Sequence, residues 1–173
     1  MKRNDIIIRN AEPEDAAALV KIYSHYVENT AISFEYVTPT AEEFGKRMAA
    51  VTAKYPYLVC EKNGVIVGYA YAGAYSTRDA YSWTAANSIY VDKDHRRQGI
   101  GSALYGALEG KLRDMGIVNV VAGASFCEGE DEYLTNESFK FHTRMGYTKV
   151  AHFRGIGKKF NRWYDLLWMQ KKL

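Results

Sequence analysis

A predicted strand, a basic loop with two glycines and a long amphipathic helix follow one another directly between residues 83 and 115. The strand, over residues 83–91, ends in β-branched and aromatic residues that favour a sheet. The helix, over residues 99–115, has apolar residues at helical spacing and ends at Gly116. These apolar residues are Ile100, Leu104, Leu108, Leu112 and Met115. A strand that passes directly into an amphipathic helix predicts a sheet with helices packed on it.

The chain before this stretch predicts a strand and two helices. Residues 6–9 are rich in isoleucine and predict the strand, and Pro13 then begins a segment with apolar residues at helical spacing. Thr40 and Glu43 have the spacing of a capping box. They predict a second helix, which ends before Pro56 because proline cannot continue it.

The remaining segments predict more strands and a short helix. Asn63-Gly64 separates the predicted strands at residues 57–61 and 65–71, and this dipeptide favours a two-residue hairpin turn. The later elements are a strand at 118–124, a helix at 138–145, and strands at 148–153 and 163–169. No repeat and no proline- or glycine-rich linker interrupts this order, so we expect one α+β domain over residues 1–173 around a mixed sheet.

Composition and charge exclude several classes of protein. The 173 residues are 47% hydrophobic and 25% charged, as in ordinary folded domains, which argues against disorder and against collagen-like repeats. A net charge of +3 is too small to indicate nucleic-acid binding. No apolar run approaches the ~20 residues of a membrane span, and residues 1–15 lack the core of a signal peptide. We therefore expect a cytoplasmic protein without nucleic-acid or membrane partners.

The two cysteines predict neither disulfides nor a metal site. Cys60 lies in an apolar run and Cys127 in a polar one. Two cysteines in such contexts make neither a disulfide framework nor a recognisable set of metal ligands. We expect a buried small side chain and a loop thiol, and no bound metal.

The loop before the long helix has the composition of an anion site. It consists of Arg96, Arg97, Gln98, Gly99, Ile100, Gly101 and Ser102. The first N–H groups of a helix are unpaired, and glycines let phosphate oxygens approach them closely, which favours pyrophosphate binding. A solvated basic turn that ends in glycine explains the loop equally well. The P-loop pattern is absent, and the dinucleotide motif requires a glycine where Leu104 stands.

The pattern RxxGxG in this loop follows a strand that ends Ile89-Tyr90-Val91. It resembles the acetyl-coenzyme A motif of the GNAT superfamily of N-acetyltransferases. Three further segments resemble the phosphinothricin acetyltransferase family within that superfamily. They are residues 29–35, residues 78–84, and Ser138 with His142 and Gly146-Tyr147. The resemblance implies a GNAT-like fold, with a central mixed, mostly antiparallel sheet flanked by helices.

The resemblance also implies an activity and its co-substrate. It implies acetyl transfer from acetyl-coenzyme A to the amine of a small amino-acid-like acceptor, of the phosphinothricin or methionine sulfoximine type. The backbone of Ile89, Tyr90 and Val91 would pair with the pantetheine arm, and the amides of residues 97–102 would hold the pyrophosphate. Ser138 and Asn136 would contact the coenzyme, although the family's asparagine position is occupied here by Thr135.

Acetyl transfer to an amine needs one group to accept a proton and one to assist the departing thiolate. His142 is the candidate for one of these roles, because histidine titrates near neutrality and the family carries a histidine at this position. The family's proposed base is a glutamate, and its position here is Ala86, which accepts no proton. The other candidate carboxylates are Glu28, Glu35, Asp79 and the acidic residues of the loop at 128–132.

For the acceptor, the resemblance implies Arg78 as a ligand of a carboxylate or phosphinate, because guanidinium binds such groups through two hydrogen bonds. Thr30, Phe34 and Tyr81 would line the pocket. An alternative of equal weight is that Phe34 and Tyr81 are core aromatics and that Arg78 is a charged residue of a surface loop. The 14 tyrosines, 7 phenylalanines and 3 tryptophans suit either an interface or a monomer core. Family members often pair, so we predict a homodimer.

Two other functions remain open at this point. The same chemistry with another small amine or a protein amine as acceptor fits if Arg78 plays no part in acceptor binding. A catalytically weak acyl-coenzyme A binding module fits the alanine at position 86. General acid–base groups contribute ~10²- to 10⁴-fold, so the missing glutamate weakens the mechanism more than the function.

Overall fold

The structure, a computed structural model, describes residues 6–173. Over these residues seven strands form one sheet, and four α-helices pack on its two faces. The strands are β1 (Ile6–Asn10), β2 (Tyr57–Lys62), β3 (Val65–Ala74), β4 (Thr84–Val91), β5 (Asn119–Phe126), β6 (Thr148–Lys159) and β7 (Arg162–Lys172). The helices are α1 (Ala16–Asn29), α2 (Ala41–Thr52), α3 (Ile100–Asp114) and α4 (Glu137–Arg144). None of the helices over residues 6–173 is long and apolar enough to cross a membrane.

The order of elements agrees with the prediction, and the differences lie at their ends. Pro13–Asp15 forms a 3-10 turn, so α1 begins at Ala16. The Thr40 hydroxyl accepts the Glu43 amide at 3.1 Å, as in a capping box. The second bond of a capping box, from the Thr40 amide to the Glu43 carboxylate, is absent among residues 6–173. The Glu43 carboxylate instead accepts from Arg47 at 2.6 Å.

The hairpin of β6 and β7 is longer than the sequence predicts. Its two turn residues, Phe160 and Asn161, both have positive φ, at 49° and 59°. Such turns are usually marked by glycine, and a Phe-Asn pair gives no such signal. β6 continues to Lys159, six residues beyond its predicted end, and β7 runs from Arg162 to Lys172, one residue before and three beyond its predicted limits.

The strand order is β1-β2-β3-β4-β5-β7-β6, and β4 and β5 form the one parallel pair in the described sheet. The central mixed, mostly antiparallel sheet is thus confirmed. β4 pairs with β5 only over Thr84–Ala86, opposite Asn119–Val121. Beyond that point β4 stays with β3 and β5 stays with β7. The two central strands therefore separate into a V-shaped gap, which we call the β4–β5 gap.

The two faces of the sheet carry different cores. We call the face covered by α3 and α4 the α3 face, and the face covered by α1 and α2 the α1 face. Alternation along β4 puts Ala85 and Ile89 on the α3 face, where they pack against the core around α3. The same alternation puts Ala86, Ser88 and Tyr90 on the α1 face, and Tyr90 packs there against tyrosines of α1. The β4–β5 gap connects the two faces.

Candidate active site

The β4–β5 gap leaves one edge of β4 without a strand partner. Residues 87–91 pair with β3 on one side, and β5 has already turned away on the other. Ile89, Tyr90 and Val91 lie on this edge, as the resemblance implies for a strand that pairs with a pantetheine arm. The Val91 carbonyl also accepts the Tyr26 hydroxyl of α1. The free edge can therefore bind an extended chain through main-chain hydrogen bonds.

The N-terminus of α3 lies beyond the end of β4. Gly99 caps the helix with φ at 81°, a left-handed conformation that favours glycine. The first bond of the helix joins the Ala103 amide to the Gly99 carbonyl at 3.0 Å. The amides of Ile100, Gly101 and Ser102 therefore have no partner within the helix and carry its positive end. This geometry suits a pyrophosphate.

Packing between α3 and α4 favours glycine at position 101, independently of any ligand. A Cβ at this position would lie 3.0 Å from the Phe141 ring of α4. The glycine thus lets α4 approach the first turn of α3. The sequence indicates the ligand interpretation of Gly101 but not its contact with α4.

The three polar side chains before Gly99 have different environments. The Arg96 guanidinium lies 5.2 Å from the centre of the Tyr26 ring. Arg97 has φ at 60°, and its side chain is 86% exposed. Gln98 accepts a hydrogen bond from Lys62 at 2.7 Å. Arg97 is thus largely exposed beside the free amides.

His142 lies inside α4 and is 3% exposed. Its Nδ1 lies 2.7 Å from the Ser138 carbonyl, which only accepts, so Nδ1 carries the proton. Its Nε2 then accepts from the Tyr105 hydroxyl, at 2.9 Å. Burial lowers the pKa of His142 below its ordinary 6.5, so the ring is neutral at neutral pH. Both ring nitrogens thus have partners within the protein. Tyr105, the partner of Nε2, was not singled out from the sequence.

A second cluster of polar residues, on the α3 face, was also not singled out from the sequence. Asn87 donates from Nδ2 to the Tyr147 hydroxyl at 3.1 Å, and that hydroxyl donates to Glu109 at 3.1 Å. Lys171 binds the other Glu109 oxygen at 2.6 Å. The Oδ1 atom of Asn87 is buried without a partner among the described residues. Residue 87 is the first in β4 beyond the pairing with β5, so this amide lies at the closed end of the gap.

Asn136 and Ser138, the two expected coenzyme ligands around the start of α4, both have contacts within the protein. The Asn136 amide binds both the N–H and the C=O of Cys127, at 3.1 and 2.7 Å, and is 7% exposed. Its left-handed conformation, with φ at 55°, begins α4. Ser138 is half-buried, and its hydroxyl lies 3.5 Å from His142 Nδ1. In this structure Asn136 ties α4 to the end of β5, and Ser138 orients the histidine.

The segment between α1 and α2 covers the α1 face beside the gap. Thr30 donates to the Tyr26 carbonyl at 2.8 Å and accepts the Ile32 amide at 3.1 Å, which ends α1. Ser125 of β5 donates to the Ile32 carbonyl at 3.1 Å. Thr30 is therefore a buried helix-ending residue, and the segment that follows it is bonded to the strand beside the gap.

The β6–β7 hairpin holds the same segment from the other side. The Lys159 ammonium is buried and donates to the carbonyls of Val27 and Ser33, at 2.6 and 2.7 Å. Burial lowers the pKa of Lys159. The Phe34 ring lies directly against Gly157, where a Cβ would come within 2.5 Å of it. Phe34 therefore takes a fixed position on the α1 face.

Arg78 and Tyr81 lie in the connection before β4, and both are exposed. The Arg78 side chain makes no hydrogen bond or ion pair with any residue in the described part of the chain. The Tyr81 ring contacts Tyr75 edge-on at 5.3 Å, and Tyr75 contacts Trp168 of β7 at 6.2 Å. An aromatic row thus connects the exposed loop with the α1 face, and Arg78 is free to bind an anion near it.

The free edge of β4 and the N-terminus of α3 together define a site suited to a long, anionic, chain-like ligand. Residues 8–168 match the family described as the Acetyltransferase (GNAT) domain. The chain belongs to this family of acetyltransferases, which confirms the enzyme class that the sequence motifs predict.

Individual relatives are similar over nearly the whole chain. A phosphinothricin N-acetyltransferase from Streptomyces viridochromogenes is 34% identical, over 98% of this chain and 89% of the relative. An L-methionine sulfoximine/L-methionine sulfone acetyltransferase from Salmonella typhimurium is 35% identical, over 96% and 94%. The crystal structure of a phosphinothricin acetyltransferase from Sinorhizobium meliloti, in complex with AcCoA, superimposes with a TM-score of 0.87. It is 29% identical and covers 97% of this chain and 88% of its own.

Proposed function

We propose that this protein transfers acetyl from acetyl-coenzyme A to the α-amine of a small amino-acid-like acceptor. The observation that carries the proposal is the β4–β5 gap, which begins after Ala86 and leads to the free amides that follow Gly99. A thioester held along this edge would lie between the two faces of the sheet. An amine on the α1 face would then reach the carbonyl carbon through the gap.

The amides of residues 97–102 and the backbone of Ile89, Tyr90 and Val91 would hold the coenzyme. The positive end of α3 favours the pyrophosphate, and the exposed Arg97 adds charge beside it. The strand edge supplies hydrogen bonds for the amide groups of pantetheine. A Cβ at Gly99 would enter open space, so glycine at this position leaves room beside the free amides.

The acceptor class rests on Arg78 and on the printed activities of the relatives. Phosphinothricin and methionine sulfoximine both carry an α-amine and an anionic or strongly polar end, and relatives named for them share about a third of this sequence. Arg78 has no ion-pair partner among residues 6–173 and would bind the acceptor's carboxylate. Thr30, Phe34 and Tyr81 would border the same pocket, with Phe34 held against Gly157.

His142 would assist the departing thiolate through Tyr105. The Tyr105 hydroxyl donates to Nε2 of the neutral ring, so the pair holds one mobile proton between two buried groups. The hydroxyl has one proton, so it would leave Nε2 in order to donate a hydrogen bond to a thiolate. Tyr105 is fully buried and His142 lies behind its hydroxyl, so both groups would act from within the core of the α3 face.

Product analysis tests the acceptor. Purified protein with acetyl-coenzyme A and equal concentrations of phosphinothricin, methionine sulfoximine, spermidine and an unblocked peptide is expected to acetylate the first two, as measured by mass spectrometry. Acetylation of spermidine or the peptide alone would contradict the proposed acceptor class. Acetyl-coenzyme A binding without any product would favour a binding module.

We also propose a homodimer in the cytoplasm. The exposed apolar residues Val150, Phe153, Ile156 and Trp163 lie on the β6–β7 hairpin, and their exposed fractions range from 43% to 64%. A cluster of this kind is typical of an interaction surface. Sedimentation is expected to give twice the 19.6 kDa of one chain, and a mass near 19.6 kDa at micromolar concentration would contradict the dimer. Cell fractionation tests the location.

A further inference from the structure

The face of β4 that meets the acceptor lacks a carboxylate. Ala86 lies on the α1 face opposite Gly73 of β3, and the next residue on that face is Ser88. A methyl group and a hydroxyl do not remove a proton from an ammonium at neutral pH. If the proposed acetyl transfer occurs here, another group must take this proton.

Glu35 lies in the covering segment on the same face. Its amide donates to the Ser33 hydroxyl at 3.2 Å, and that hydroxyl pairs with the Tyr23 hydroxyl at 2.8 Å. The Tyr23 ring in turn contacts Tyr90 of β4 edge-on, with 5.0 Å between ring centres. Glu35 is thus held in the layer that covers Tyr90, on the face that carries Ala86.

The two oxygens of Glu35 differ. Oε1 accepts from Arg47 at 2.6 Å, whereas Oε2 is buried and has no partner among the described residues. A buried carboxylate oxygen without a donor is costly, and an ammonium group would satisfy it. Burial and the nearby Glu35 charge also raise the pKa of Tyr23, to about 12, which agrees with a carboxylate close to this tyrosine.

The other candidate carboxylates have their own partners or lie elsewhere. Glu28 accepts from Thr38 at 2.7 Å, and both Glu109 oxygens are bonded on the α3 face. The acidic loop pairs with basic side chains, Glu130 with Lys140 and Asp131 with Arg162. Among residues 6–173, Glu35 is the carboxylate with a buried oxygen that has no hydrogen-bond partner.

We propose that Glu35 binds the ammonium of the acceptor through Oε2 and takes its proton, in the role that a carboxylate at position 86 would have. This assignment rests on the proposed function and deepens it. It places the amine over Ser88 and Tyr90, beside the β4–β5 gap. Arg47, bound to Oε1, would hold the Glu35 side chain in place.

The proton balance is complete with these groups. One proton passes from the ammonium to Glu35 Oε2, and the freed lone pair forms the C–N bond at the thioester carbonyl carbon. The C–S bond then breaks with its electron pair on sulfur. A second nitrogen-bound proton passes to the thiolate and gives free coenzyme A, while the third remains on the amide. Glu35 returns its proton to solvent when the product leaves.

Glu35→Gln tests the role with little change in shape, and Glu43→Gln is its matched control. Glu43 is the other carboxylate bound to Arg47, at 2.6 Å, but it lies exposed on α2. We expect Glu35→Gln to lower kcat/KM for the acceptor ~10²- to 10⁴-fold, the range of a general base, with an unchanged KM for acetyl-coenzyme A. Glu43→Gln should keep kcat/KM within about two-fold of wild type.

The pH dependence separates a catalytic role from a structural one. Glu35→Gln must use acceptor that is already neutral, so its kcat/KM should rise about tenfold for each pH unit below the pKa of the amine. Wild-type kcat/KM should depend less on pH over this range. Adding Ala86→Glu to Glu35→Gln should restore part of the activity. Equal kcat/KM and equal pH profiles in wild type and Glu35→Gln would overturn the assignment, while wild-type turnover would leave the proposed function standing.

Calorimetry provides a readout that does not need turnover. With coenzyme A bound, Glu35→Gln should bind methionine sulfoximine at least tenfold more weakly than wild type. Binding of N-acetylmethionine sulfoximine, which has no ammonium, should be unchanged. Equal loss for both ligands would show a general disturbance of the pocket and overturn the assignment. A wild-type protein that neither binds nor acetylates these amines would overturn the proposed function and, with it, the role of Glu35.

Discussion

The Tyr105 hydroxyl donates to Nε2 of His142 across 2.9 Å, between two side chains that are both buried on the α3 face. The histidine is fixed from its other side, because Nδ1 donates to the Ser138 carbonyl one turn earlier in α4. Residue 142 therefore joins α3 to α4 beside the β4–β5 gap. A histidine that the motif suggests as a catalytic group is also part of the core.

The burial of His142 predicts how stability depends on pH. Its pKa in the folded protein lies below the ordinary 6.5, because burial disfavours the charged ring. Below about pH 6.5 the unfolded chain binds a proton here that the folded chain does not, so this contribution to stability is present above that pH and lost below it. We expect wild type to lose more unfolding free energy than His142→Gln between pH 7 and 5, measured by denaturant titration. Parallel curves would contradict the neutral, buried ring.

Gly99→Val tests the anion site at α3. The positive φ of Gly99 strains a β-branched residue, so valine would shift the backbone that presents the free amides of α3. We expect at least a tenfold weaker affinity for acetyl-coenzyme A by calorimetry. Gly106→Ala is the control, because a Cβ there meets nothing within 4 Å and alanine favours the helix by about 1 kcal/mol. Unchanged affinity in folded Gly99→Val would refute coenzyme binding at this terminus.

Arg78→Ala tests capture of the acceptor's anionic end. Hydrogen bonds to charged groups contribute about 1.5–3 kcal/mol, so the KM for the acceptor should rise roughly 10- to 100-fold. The KM for acetyl-coenzyme A should stay the same, since Arg78 lies on the connection before β4, away from α3. An unchanged acceptor KM would favour an acceptor without a carboxylate, such as a simple amine.

Lys159→Met tests the attachment of the covering segment. The substitution leaves the carbonyls of Val27 and Ser33 without their donor, and each buried unpaired group costs about 1–3 kcal/mol. We expect a loss of about 2–4 kcal/mol in unfolding free energy and a higher KM for the acceptor. The exposed neighbour gives the control, Lys158→Met, which should change stability by less than about 0.5 kcal/mol. Equal stability of the two variants would contradict the structural role of Lys159.

The fold was largely predictable because its local signals agree with one another. Asn63-Gly64 marks the hairpin of β2 and β3, and Gly116 ends the turn after α3. The turn at Phe160 and Asn161 was not predictable, because neither residue type is typical of a two-residue turn with positive φ. There the pairing of two long strands determines the backbone conformation.

The site was predictable where a motif acts through the backbone, and much less so where side chains meet across the fold. The loop at 96–102 has its glycines where the helix begins, so its geometry follows from local sequence. The contacts of His142 with Tyr105, of Asn136 with Cys127 and of Lys159 with Ser33 join residues on different elements of the fold. No spacing rule indicates such pairs. The free oxygen of Glu35 likewise depends on Arg47, which lies on a different element.

Release of coenzyme A thiol from acetyl-coenzyme A tests the central claim most directly. The assay compares methionine sulfoximine with a blank that has no acceptor, and with N-acetylmethionine sulfoximine as a ligand whose amine is blocked. We predict thiol release that saturates with methionine sulfoximine and stays at the blank level with the blocked compound. Equal release in all three reactions, or none despite measurable acetyl-coenzyme A binding, would contradict an N-acetyltransferase for amino-acid-like acceptors.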